Sequence, residues 1–98
     1  MNLPLILRDE AEYDAEDTRN YYDRQQAGLG GRFLVRLNEA LARIQAMPKA
    51  YGIIGKNVRI KKLSKFPYVV YYRLHSDRIE VLAILHGSRD SSIWRDRA

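Results

Sequence analysis

A chain of 98 residues is too short to divide into separate cores, so one domain spanning residues 1–98 is expected. Its 46% hydrophobic and 30% charged residues are the balance of a globular protein, and with no cysteine it has neither a disulfide framework nor a thiolate metal site. The formal net charge of +5 points to acidic partners: nucleic acid, an acidic peptide or an acidic protein surface.

That total hides an asymmetry. Residues 1–17 hold Arg8 against six acids, a net of −5, and the remainder holds sixteen Lys or Arg against six acids, a net of +10. The opening run MNLPLIL is too short for a secretory signal or a spanning helix and passes straight into acids, so a cytoplasmic protein with no membrane partner is expected.

Leu3, Leu5 and Leu7 alternate with Pro4, Ile6 and Arg8, which predicts a short first strand. Asp9 offers an N-cap oxygen and Glu12, three residues on, completes a capping-box pattern, so a helix is expected to follow. Its inner face is Ala11, Ala15, Thr18 and Tyr22. In AGLGGRF the helix breaks, with Gly28 able to take a left-handed C-cap and Gly30 or Gly31 to open the next turn. A second helix carries the apolar stripe Phe33, Leu37, Leu41 and Ile44, flanked by Leu34 and Met47, and Pro48 ends it.

KAYGIIGKN reads as a loop. Three strand-like runs follow, VRIKKL, YVVYYRLH and RIEVLAILH, the last two joined tightly at Ser76 and Asp77 as an antiparallel hairpin. Ile79 to Leu85 is apolar on both faces apart from Glu80, which places it inside the sheet. The fold class is therefore α+β: an N-terminal strand, a helical hairpin, then a three-stranded antiparallel segment, with the helices on one face of the sheet.

KNVRIKKLSK sets Lys56, Arg59, Lys61, Lys62 and Lys65 in ten residues with no acid. On a strand Arg59 and Lys61 share one face and Lys62 takes the other, which suits either a charge-protected edge strand or a surface for phosphates. Tyr68, Tyr71 and Tyr72 suit sheet packing, with base stacking the sharper alternative. His75 belongs to a turn. His86 falls where a buried strand ends, as a histidine held by local hydrogen bonds or as part of a site. Arg89, after a Gly87 that permits an unusual backbone, either holds a phosphate or carboxylate or pairs with Asp90 or an acid of the first helix. Trp94, Arg95 and Arg97 give the tail a basic, aromatic character. No histidine–carboxylate spacing suggests a metal, and nothing calls for a cofactor.

The order of elements, with ALARIQAMPKAYG, VRIKKLSKFPYVVYYRL and AILHGSRDSSIWRDR, resembles the RelE/ParE superfamily of toxins from type II toxin–antitoxin systems. The most specific matches are Phe66–Tyr72 and His86–Trp94, and the resemblance covers nearly the whole chain. It implies a cognate antitoxin that wraps the toxin with an amphipathic helix and often an added strand. RelE-type members resemble ribosome-dependent messenger RNA endoribonucleases, for which Lys62, His86 and Arg89 are the catalytic candidates here. Of that set, the second arginine is replaced by Tyr68, and Trp94 stands near the position of a catalytic tyrosine, where an indole cannot transfer the proton. The FPY and HGSRD patterns look closer to ParE-type members, which inhibit DNA gyrase and need no catalytic acid or base. On that reading Arg59, Lys61, Lys62, Tyr68, Arg89, Trp94 and Arg95 are target- or phosphate-binding candidates. The alternatives are a ribosome and messenger RNA target, or a basic module that binds only nucleic acid or its antitoxin.

Overall fold

In the computed structural model, which describes residues 2–98, the chain runs β1 (Leu5–Leu7), α1 (Asp9–Gln25), α2 (Leu29–Ala46), β2 (Ile53–Gly55), β3 (Val58–Lys62), β4 (Tyr68–Leu74), β5 (Ile79–His86) and α3 (Ser92–Arg97). The five strands lie in the order β1-β5-β4-β3-β2. The three expected C-terminal strands are β3, β4 and β5, all antiparallel. Two more join them, so the sheet has five strands.

The first addition is β1, which pairs parallel with the start of β5, Leu5 opposite Ile79 and Leu7 opposite Val81. The second is β2, inside the segment read as a loop. Lys56 and Asn57 both take positive φ, at 50° and 60°, between the paired residues Gly55 and Val58, which is the backbone of a tight primed hairpin turn. Lys-Asn is a weak signal for such a turn, so the short edge strand went unseen.

α1 begins at Asp9, with Arg8 extended before it and no side-chain cap, so Asp9 is the first helical residue rather than the N-cap. Asp9, Glu10 and Glu12 in the first turn still suit the positive end of the helix dipole. Ala11 and Thr18 are buried, with Ala15 and Tyr22 packed beside the core, as the spacing predicts. Gly28 does take the left-handed conformation, φ 86°, but as the residue entering α2; α1 has already ended at the extended Gln26. Gly30 lies inside α2 at the crossing of the two helices. A Cβ there would sit 2.4 Å from the Arg19 carbonyl oxygen, and the Gly30 N–H donates to Asp23 Oδ1 at 2.8 Å, so the hairpin closes on a residue without a side chain. Phe33, Leu37, Ala40 and Ile44 bury the inner stripe of α2, whereas Met47 lies past its end and is exposed.

β5 explains how one strand can be apolar on both faces. Tyr71 pairs with Ala83 but Tyr72 with Val81, leaving Leu82 as a bulge. Ile79, Val81 and Ile84 then join the core under the helices, while Leu82, Ala83 and Leu85 join a second cluster on the opposite face. That cluster is closed by Trp94 of α3, a helix the sequence reading did not include.

Tyr72 is fully buried under the helices and its hydroxyl donates to the Pro48 carbonyl at 2.7 Å, tying β4 to the end of α2. Burial pushes its pKa up to about 12. Burial raises Tyr71 and Tyr22 in the same direction, Tyr22 also through its neighbours Tyr68 and Tyr21. The folded state therefore binds the Tyr72 proton more tightly than the unfolded chain, whose tyrosines ionise near 10. Its contribution is intact below pH 10 and is lost as the pH rises towards about 12. Urea titrations across that window should show stability falling by about 2 kcal/mol on account of Tyr72, and Tyr72→Phe should flatten that part of the slope.

Candidate functional site

The first residue of β4 and the last of β5, Tyr68 and His86, are register partners, with ring centroids 5.4 Å apart in an edge-on arrangement. The chain leaves β5 in a turn closed by Gly87 N–H to the Pro67 carbonyl at 2.8 Å and Arg89 N–H to the His86 carbonyl at 3.0 Å. Positive-φ glycines are confined to Gly28 and Gly55 among the described residues, so Gly87 supplies no unusual backbone. The turn itself redirects the chain.

Two clefts flank this strand end and share Tyr68 and His86. One, of about 370 Å³, is walled by Lys62, Phe66, Pro67 and Ser88. The other, of about 150 Å³, is walled by Asp14, Asp17, Thr18 and Arg89. Lys62, Tyr68, His86 and Arg89 are thus brought together, although they come from three separate segments. Phe66 is held from below by Tyr22 and Phe33, at 5.0 and 5.6 Å between centroids.

His86 is oriented locally. Its Nδ1 accepts from the Ser88 N–H at 3.0 Å and lies 2.8 Å from Ser88 Oγ. A ring nitrogen that accepts a backbone N–H carries no proton, so the neutral ring holds its proton on Nε2; the tautomer is assigned from this bond. Arg89 makes no ion pair among the described residues, with Asp90 or with an acid of α1, and its guanidinium stands free beside the cleft.

The other candidates lie elsewhere. Arg59 donates to the carbonyls of Tyr51 at 2.6 Å and Lys49 at 3.3 Å, fastening the segment after α2. Lys61 shares its face and stands over the Tyr51 ring, while Lys62, opposite Val69, takes the other face. Trp94 is 4% exposed and stacks on Tyr71, so it is core, and the tail is no open aromatic contact surface. Arg95 covers the outside of that indole, 4.6 Å from its ring. Arg97 turns inward to Asp14 at 2.6 Å. His75, expected as a plain turn residue, is paired with Glu80 at 2.9 Å.

Sequence reasoning missed Asp14 and Asp17 as walls of the cleft. They sit at i and i+3 on α1, and Thr18, whose hydroxyl donates to the Asp14 carbonyl at 2.8 Å, shares that face. The spacing was legible, but nothing in it told which acids turn towards the sheet. Among the described residues no group of His, Asp and Glu is disposed to hold a metal ion, and no helix is long and apolar enough to cross a membrane.

Residues 5–91 match the family model described as the ParE toxin of the type II toxin–antitoxin system parDE. The chain belongs to this family. The ParE fold is seen again in a solved structure of the chromosomal ParDE toxin–antitoxin system from P. aeruginosa, with a TM-score of 0.78 at 17% sequence identity over 86% of this chain and 95% of that one. No curated protein matches by sequence. This ParE toxin carries its strand-end clefts within the matched residues, whereas α3 lies past them.

Proposed function

We propose that this ParE-family toxin acts as one domain that inhibits DNA gyrase, stabilising its cleaved complex with DNA, and that a cognate antitoxin neutralises it. The observation that carries the inhibitor reading is His86. With Nδ1 occupied by Ser88, the ring offers only an Nε2–H donor, and a donor cannot take the proton of a ribose 2′-hydroxyl. Tyr68 packs edge-on against Phe33 and Trp94 is buried on the opposite face, so neither ring serves as a proton-transfer group at the strand end, which presents Lys62 and Arg89 as cations for binding. Lys62, Tyr68 and Arg89 then serve as contacts to the target. For the antitoxin, the exposed Tyr13 and Tyr21 of α1 suit an amphipathic helix, and the outer edge of β2, the terminal strand of the sheet, suits an added strand.

The test is purified gyrase with this chain, alongside messenger RNA from cells expressing it without antitoxin. Loss of supercoiling with trapped cleavage complexes and intact messenger RNA is expected, with Lys62→Ala/Arg89→Ala weakening inhibition at least tenfold. Codon-positioned RNA cleavage with normal supercoiling would overturn the reading in favour of a ribosome-dependent nuclease.

A further inference from the structure

α2 has an outer face as regular as its buried one. Arg32, Arg36, Glu39 and Arg43 fall at i, i+4, i+7 and i+11, which is one stripe of a helix. The stripe borders two concavities. Between α2 and β3 lies a polar cleft of about 220 Å³ walled by Arg36, Arg43, Lys61, Lys62 and Ser64. Beside it, Arg32 and Arg36 face Lys65 across a groove with Leu29, Val35 and Phe66.

Six cations, Arg32, Arg36, Arg43, Lys61, Lys62 and Lys65, therefore line one continuous face. Its single acid, Glu39, is taken by Arg36 at 3.1 Å. Arg32, Arg43, Lys61 and Lys65 make no ion pair among the described residues. Like charges gathered without counter-ions repel one another, and a polyanion relieves that repulsion.

We propose that this face binds the phosphate backbone of duplex DNA, with Arg36, Arg43, Lys61 and the Ser64 hydroxyl around one phosphate. From Arg32 to Arg43 the helix rises roughly 16 Å. One strand of a duplex presents a phosphate every ~3.4 Å along its axis, so the stripe spans roughly five of them. Duplex suits the face better than single-stranded nucleic acid. A single strand is held by stacking its bases on exposed rings; Tyr13 and Tyr21 belong to α1 and line neither concavity, and Phe66 in the groove is half-buried and held edge-on by Tyr22 and Phe33. The face adjoins the larger strand-end cleft, with which it shares Lys62 and Phe66 as walls, and its binding of DNA requires nothing of gyrase.

The test is anisotropy of a short end-labelled duplex DNA with the full chain between about 50 and 200 mM salt. Affinity should fall with salt with a log–log slope of about −3.6 to −4.5, as four to five neutralised phosphates require. Arg43→Gln/Lys61→Gln should lower the slope by about two and the affinity at least tenfold. Lys56→Gln/Arg78→Gln, which removes the same charge from hairpin turns, should leave the slope unchanged. Circular dichroism checks the fold, and if the double variant unfolds, Arg43→Gln at its exposed position should lower the slope by about one. No binding at low salt, equal losses in the two double variants, or polyglutamate bound as tightly as DNA would each overturn the proposal, the last in favour of an acidic protein partner.

Discussion

Replacing Asp14 by Ala should cost this protein about 3 kcal/mol of stability. The carboxylate holds Arg97 at 2.6 Å and accepts the Ile84 N–H at 3.0 Å, and the two charged side chains are only 13% and 19% exposed. Arg97 in turn reaches the Leu82 carbonyl, and its own carbonyl accepts from Arg8. Without Asp14, a mostly buried guanidinium loses its ion pair and the Ile84 N–H loses its acceptor. Urea denaturation checks the magnitude, and a double-mutant cycle with Arg97→Ala isolates the pair. A loss below 1 kcal/mol would mean that the pair behaves as a solvated surface bridge.

Phe33→Ala should cost about 3–5 kcal/mol by emptying the centre of the core. The ring is fully buried among Tyr22, Phe66 and Tyr68, with centroids 5.4 to 5.8 Å away. Its loss has a second effect, because Phe66 and Tyr68 wall the strand-end clefts. Under the proposed function, the variant should therefore inhibit gyrase less well even at temperatures where it remains folded by circular dichroism. Phe33→Leu, which refills most of the volume, should recover more than half of the stability. Equal loss in both variants would place the effect in ring geometry rather than in volume.

Much of this architecture was legible because periodicity reports burial. The α2 stripe, the inner residues of α1 and the two-faced apolar run of β5 follow from spacing alone. What escaped depends on partners distant in sequence. The β2 turn relies on positive φ at Lys56 and Asn57, which neither residue advertises. α3 holds together because Trp94 finds Tyr71, and the tail that looked like a contact surface was a core residue with its arginines arranged around it. The site was half visible. Lys62, His86 and Arg89 were named from their neighbourhoods, but Asp14 and Asp17 could be placed beside them only once α1 was laid across the sheet.

The parallel pairing of Leu5–Leu7 with Ile79–Val81 sets the order of events during synthesis. The first strand leaves the ribosome long before its partner exists, and closing so long a loop is entropically slow. Until β4 and β5 emerge, Phe33, Leu37 and Ile44 have no sheet to cover them. The apolar stripe of α2 therefore stays open until the residues of β5 are made. Whatever binds that open stripe first acts before the toxin has a sheet to act with.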